Sequence, residues 1–188
     1  MKLEQIHFEI EKKQKDLLEI NASLVEFSVT DKLTGLKNRR FFQEKIEAHF
    51  ALYDKNETIF SLLILDIDHF KRMNDTFGHQ VGDEVLAQIA QILKMQARVG
   101  NIVARYGGEE FVLILPDTDI DESIAVAEQI RLAVEQAQWQ IDGIIVSIGV
   151  ATVTTEDTDV TILKRTDQAL YASKENGRNR VTHCGDCI

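Results

Sequence analysis

Cysteine is nearly absent from this chain of 188 residues: two occur, Cys184 and Cys187, both at the C-terminal end. No disulfide framework can be built from that inventory, so the fold must rest on a buried apolar core, and the chain is expected in a reducing cytoplasm. The Cys184-x-x-Cys187 spacing allows a redox pair or a metal half-site, but two thiols at a terminus read more simply as incidental. Basic charge is also scarce. Lys and Arg number 21 against 31 Asp and Glu, a formal net charge of −10, which argues against a general surface for a nucleic acid polymer. A few local arginines and lysines are still enough to hold a small anionic ligand. No apolar run approaches the ~20 residues of a membrane-spanning helix. Met1-Lys2-Leu3-Glu4 leads into a charged helix rather than a secretory signal. Internal repeats and low-complexity tracts are lacking too. What is present, 44% hydrophobic and 28% charged residues, is the composition of an ordinary globular protein, with length for one domain and an appendage.

The appendage is residues 1–29. Leu3, Ile6, Ile10, Lys13, Leu17, Ile20, Leu24 and Phe27 recur at alternating steps of three and four, a heptad seam broken by Lys13. An amphipathic helix lying on its own domain would give some of this pattern. Strict spacing over nearly four heptads favours a parallel coiled coil that pairs two chains as a homodimer. The chain therefore reads as a coiled-coil helix over 1–29, a globular domain over 30–183 and a tail over 184–188.

Within the domain, Gly35 signals a turn, Asn38 an N-cap, and Phe41, Phe42, Ile46 and Phe50 a helix to about Tyr53. Ser61-Leu62-Leu63-Ile64-Leu65 reads as a buried strand that ends in Asp66-Ile67-Asp68. Short and long helices follow over 70–77 and about 81–97, and Gly82-Asp83 then falls where a helix dipole favours a carboxylate. Asn101-Ile102-Val103-Ala104 and Val112-Leu113-Ile114-Leu115 read as two strands. The positive φ angles of Gly107-Gly108 are expected to make a tight hairpin turn between them. Pro116-Asp117-Thr118-Asp119 ends the second of these strands and caps a helix over about 120–138, whose inner face is Ala127, Ile130, Val134 and Ala137 with Ile124 beside them. A strand over 143–152, a helix over about 160–174 ended by Gly177, and an edge strand at Val181-Thr182 complete the order. Mixed elements around a central hairpin indicate an α+β layered sheet. Glu109-Glu110 at a hairpin tip and Asp66 at a strand end can converge on a divalent cation if the strands are neighbours, and hard oxygen ligands suit Mg²⁺.

Several motifs stand together in the chain. They are Asp31-Lys32-Leu33-Thr34-Gly35-Leu36, Asn38-Arg39-Arg40, Leu65 to Lys71, Asn74-Asp75, Gly78-His79, Gly82-Asp83, Ala104 to Phe111, Ser147 to Ala151 and Gly177 to Arg180. In this order and at these spacings they resemble the GGDEF-type diguanylate cyclases over about residues 30–183, with Glu109 as an accepted variant at the third signature position. The resemblance implies a nucleotide-cyclase or polymerase-palm-like fold: a ferredoxin-like core with an antiparallel-centred sheet flanked by helices. It also implies condensation of two GTP into cyclic di-GMP with release of two pyrophosphates, dependent on Mg²⁺, with Mn²⁺ as an alternative.

The resemblance assigns roles residue by residue. Asp66, Glu109 and Glu110, with the Ile67 carbonyl, are the expected metal ligands, and Glu109 is also the expected proton acceptor, although a metal-bound carboxylate is a weak base. Lys71 becomes a stabiliser of phosphate charge, where otherwise it is an exposed lysine. The amides from His69 through Phe70 to Lys71 form a phosphate cradle at a helix start. Lys174 and Arg178 either reach the β- and γ-phosphates or simply complement the end of a helix. Asn74 and Asp83 read guanine, Asp83 accepting from N1–H and N2–H₂. His79 holds the Gly78 turn, with contact to the ligand as the alternative. Asp68 is a structural or helix-capping acid. Many relatives carry an inhibitory Arg-x-x-Asp site for the product, and here the stretch is Arg98-Val99-Gly100-Asn101. An amide in place of the acid cannot form the charged pairing that orients an arginine fork, so feedback through this site is expected to be weak. A module that only senses GTP or cyclic di-GMP would be expected to have lost Asp66, Glu109 or Glu110. A different cyclase or transferase on the same fold would be expected to lack Asp83.

Overall fold

The computed structural model describes residues 2–186 and divides into two units, residues 1–30 and 31–188. The first is the helix α1, Lys2–Val29. Of the seam positions with described side chains, Ile10, Leu17 and Ile20 are 49%, 65% and 58% exposed, and Lys13 is exposed as well. A helix of this kind gains little from propensity alone and needs a partner for its apolar stripe. The side chains of Leu3, Ile6, Leu24 and Phe27 lie outside the described residues. No helix is long and apolar enough to cross a membrane among the described residues.

The second unit is a six-stranded sheet between helices. In chain order its elements are β1 (Lys37–Asn38), α2 (Arg39–Asn56), β2 (Phe60–Ile67), α3 (Phe70–Phe77), α4 (His79–Gln96), β3 (Ile102–Gly107), β4 (Glu110–Pro116), α5 (Ile120–Glu135), β5 (Val146–Thr152), α6 (Asp159–Glu175) and β6 (Val181–His183), followed by a short 3₁₀ turn at Cys184–Asp186. The strand order is β1-β3-β4-β2-β5-β6. The centre is antiparallel: β2 pairs with β4 on one side and β5 on the other. The outer pairs β1 with β3 and β5 with β6 are parallel.

Strand β2 is buried along its whole length, because both faces of the sheet are covered. Side chains alternate between the faces. Leu63, Leu65 and Ile67 enter the core beneath α3, α4 and α5, together with Phe111, Leu113, Ile89, Leu93 and Ile130. Leu62 and Ile64 enter a second core with Val112, Ile114, Phe42, Ile46 and Ile162, beneath α2 and α6. Caps come from the residues flanking the helices. Asn38 accepts from the Phe41 N–H, Asp119 from the Glu122 N–H, and Thr158 and Thr161 form a reciprocal capping box.

The structure corrects several boundaries. The two-residue strand β1 is an addition, too short to leave a periodicity. Helix α4 begins at His79, so it has no acid in its first turn, and the dipole argument for Asp83 falls. Helix α5 stops at Glu135, with Val126 rather than Ile124 completing its buried face. Strand β5 starts at Val146, preceded by Gly143 at φ 85°. The 3₁₀ turn carries Cys184 onto the second core, where its Sγ lies 2.9 Å from Arg165 Nη2, so this part of the tail is packed. Cys187 lies outside the described residues.

The segment entering the domain is tied by Asp31. Its carboxylate accepts from the Thr34 N–H at 2.9 Å and the Thr34 hydroxyl at 2.6 Å, and Arg105 Nη1 donates to it at 3.3 Å. Burial alone would raise the Asp31 pKa, but the two Thr34 bonds and the Arg105 charge together hold it below the ordinary carboxylate value. A lowered folded pKa means that the ionised acid stabilises the fold above the unfolded value of about 3.9, and that this stability is lost as pH falls through the folded value. Asp31→Asn should therefore cost about 1–2 kcal/mol at neutral pH, and the cost should shrink as pH falls below the unfolded carboxylate value. Denaturant titrations of both proteins across that range are the check; a cost that does not change with pH would contradict the assignment.

Candidate functional site

The register of the central strands brings the acids together. Asp66 on β2 lies opposite Glu110 on β4 and opposite Ser147 on β5. Gly107 pairs with Glu110, which leaves Gly108 and Glu109 as the tip of the hairpin. The expected positive φ angles are not found: neither Gly107 nor Gly108 is in the left-handed region. A register shift between Arg105 and Gly107 bends the ribbon instead. The Arg105 guanidinium then closes the turn by donating to the Gly108 carbonyl, Nε at 3.1 Å and Nη2 at 2.7 Å. A methyl group at Gly108 would meet nothing within 4 Å, so this glycine leaves the tip bare rather than making room within the protein. The Glu109 carbonyl accepts from the Ile67 N–H at 3.4 Å, which fixes the tip over the end of β2.

Asp66 is 7% exposed and pairs with Lys174, Nζ to Oδ1, at 2.9 Å. Burial pushes its carboxyl up to about 6; the Lys174 ammonium pulls it back, and the nearby Glu109 and Glu110 charges add to the rise. Among the described residues no three His, Cys, Asp or Glu side chains form a ready-made metal cluster. The expected set of Asp66, Ile67, Glu109 and Glu110 is thus neighbouring but open, with Lys174 on its buried member. The donors fit a hard divalent cation nonetheless. They are all oxygen, and a desolvated carboxylate whose charge is opposed by two others favours added positive charge.

Asp68, one residue past the end of β2, has a different set of partners. Its side chain is fully enclosed, with Arg178 Nε 4.0 Å from Oδ1. It accepts from the Ser147 hydroxyl at 2.8 Å and from the Asn179 N–H at 3.1 Å. It does not cap α3, whose N-cap is His69 in the left-handed region at φ 59° with no side-chain cap bond. Asp68 therefore ties the end of β2 to the turn after α6. That turn is a Schellman motif: Gly177 has φ 112°, and the Arg178 N–H donates to the Ser173 carbonyl at 3.0 Å. Helix α6 lies directly on β5, because a methyl group at Gly149 would stand 2.2 Å from the Thr166 carbonyl oxygen and 2.3 Å from the Leu170 nitrogen. Lys174 and Arg178 are brought to the two acids in this way.

The remaining expected residues lie on α3 and α4. Lys71 is exposed on the first turn of α3. Phe70 is in the core, so its side chain presents no ring to a ligand and only its backbone can serve a cradle. Asn74 has a buried amide oxygen with no partner, and a methyl group at Gly82 would lie 1.9 Å from it. Gly82 thus preserves the space in which Asn74 sits. Asp83 and His79 are exposed on α4. Arg98 and Asn101 lie apart from these groups, before β3, where the Asn101 N–H donates to the Arg98 carbonyl at 3.1 Å. They line a cleft of about 510 Å³ with Lys37 and Lys94. Sequence reasoning missed Arg105, Ser147 and Asn179 as positioning groups. Asp31-x-x-Thr34 was a readable turn signal, but nothing local announced that Arg105 would reach it.

The comparisons with known proteins agree with this architecture. A family model described as diguanylate cyclase, GGDEF domain, matches residues 28–180. Diguanylate cyclase A of Treponema denticola is 42% identical over 171 residues, 86% of this chain and 46% of that protein. The chain thus spans about half the length of this curated relative, and 36% of the response regulator PleD of Caulobacter vibrioides, which is 40% identical over 164 residues, 84% of this chain. The crystal structure of the coiled coil and GGDEF domain of DgcB from Caulobacter crescentus, in complex with c-di-GMP, superposes with a TM-score of 0.91 at 34% identity, covering 97% of this chain and all of that one. With its buried Asp66 beside the Glu109-Glu110 turn and a family match over most of its length, the chain belongs to the GGDEF-domain diguanylate cyclase family.

Proposed function

We propose that this chain condenses two GTP molecules into cyclic di-GMP and two pyrophosphates, each ribose 3′-hydroxyl attacking the α-phosphate of the other nucleotide across a pair of facing domains. The observation that carries this reading is the pairing of Asp66 with Glu110 beneath the Glu109 tip, with basic groups on either side. A divalent cation, Mg²⁺ or Mn²⁺, held by Asp66, Glu109, Glu110 and the Ile67 carbonyl would neutralise phosphate charge and acidify the hydroxyl. Lys71 meets the developing charge from α3, and the amides at the start of that helix hold phosphate oxygens. Arg178 meets phosphate from the turn after α6. Asp83 accepts from the guanine N1–H and N2–H₂. The unpaired amide oxygen of Asn74 gains a donor from the same edge, and its NH₂ group serves a base acceptor. His79 beside them holds the start of α4. The neutral Asn101 leaves Arg98 without its acid, so product feedback through that site is weak.

Incubation with GTP and Mg²⁺ followed by mass identification should give cyclic di-GMP and pyrophosphate in a ratio of one to two. Glu109→Gln should lower the rate by about 100-fold or more while leaving thermal unfolding unchanged, since the residue stands at a turn tip. A variant that turns over at the original rate would remove Glu109 from the chemistry.

One domain holding one GTP cannot place the second nucleotide. The exposed Ile10, Leu17 and Ile20 of α1 supply the seam of a homodimer that raises the local concentration of a second domain. Lys13 in the seam weakens it and keeps it adjustable. Deleting residues 1–28 should leave a folded domain whose specific activity rises steeply with protein concentration, while the intact chain varies far less. The check is activity per molecule across a dilution series. Identical, concentration-independent activity in both proteins would rule out the tethering role.

A further inference from the structure

We propose that Lys174 is the resident counter-ion of Asp66, competing with free divalent cations for the acidic site and yielding it most readily when a nucleoside triphosphate takes up the displaced ammonium. This rests on the cyclase reading of the site and adds an order of events to it. Lys174 Nζ lies 2.9 Å from Asp66 Oδ1, within the space a cation bound to that oxygen would take. Two cations on one carboxylate oxygen repel strongly in a partly desolvated site, so the lysine and the metal compete.

The surrounding structure makes the lysine side chain the moving part. Helix α6 is pressed onto β5 at Gly149, and its C-terminal turn is fixed by the Arg178 to Ser173 bond and by Asp68. The backbone that carries Lys174 is therefore held, while its four-carbon stem can rotate. Removing the ammonium would leave Asp66 buried without its partner next to Glu109 and Glu110, so it leaves only when something replaces it. A divalent cation replaces it on the carboxylate. The displaced ammonium in turn needs an anion, and the β- and γ-phosphates supply one. Cation and triphosphate therefore bind better together than either does alone, a coupling that runs through one side chain. Arg178 does not share this behaviour. It stands 4.0 Å from Asp68, a carboxylate already served by Ser147 and Asn179.

The test uses Mn²⁺ without nucleotide, free Mn²⁺ being followed by electron paramagnetic resonance. Lys174→Met should bind Mn²⁺ at least tenfold more tightly than the original protein, and adding Asp66→Asn to it should abolish the gain. On the unaltered protein, the rate at which an amine-reactive ester acylates Lys174, read by mass spectrometry, should rise severalfold when Mn²⁺ is added; this second arm does not depend on a variant folding. Equal Mn²⁺ binding in the original protein and Lys174→Met, lost in Asp66→Asn, would overturn the counter-ion role and leave the metal reading standing. Mn²⁺ binding in none of them, or an acylation rate indifferent to Mn²⁺, would overturn the proposal; the former would take the metal reading with it.

Discussion

Everything at the site depends on the antiparallel register of β2 between β4 and β5. Asp66 faces Glu110 because every residue of β2 before it is paired on both sides or buried between the two cores. A slip of one residue would turn Leu63 and Leu65 out of the helix-covered core they occupy and carry Asp66 to the opposite face. The acids are thus placed by the packing of Leu, Ile, Val and Phe residues that have no chemistry of their own. This is why an acidic site of three like charges can persist: the cost of bringing the carboxylates together is spread over an entire buried strand.

The fold treats its two strand-end acids differently. Asp68 is enclosed and satisfied by a hydroxyl, a backbone amide and a nearby guanidinium. Asp66 has a lysine and two neighbouring carboxylates. The first arrangement is a structural tie, complete without a ligand. The second is electrostatically strained at neutral pH and favours further positive charge. Two aspartates separated by a single isoleucine therefore divide the work, one holding the α6 turn in place and the other presenting to whatever enters.

Much of this was legible in the sequence because it is local. The apolar run of β2, the Asn38 and Asp119 caps, the helix before Gly177 and the acidic hairpin all announce themselves within a few residues. The long-range ties did not. Arg105 reaching Asp31, Asp68 accepting from the Asn179 amide, and Lys174 on Asp66 join residues 74, 111 and 108 positions apart, and no periodicity records such distances. The hairpin gives a different lesson. Two consecutive glycines suggested left-handed turn residues, whereas an arginine and a bulge shape the ribbon, and the tip glycine keeps its outer surface free. Phe70 likewise stood among the site motifs, yet its ring serves the core.

Gly149 carries a consequence for how this chain can vary. With the Thr166 carbonyl and the Leu170 amide facing its Cα, not even a methyl group is admissible without lifting α6 from the sheet. Lifting the helix would carry Lys174 and Arg178 away from their acids together. The outward residues of α6, such as Val160 and Tyr171, bear no such constraint and are free to drift. A single missing side chain on the strand thus sets the spacing of two cations far along the helix, and tolerance to substitution across this region should follow distance from that one contact rather than distance from the acids.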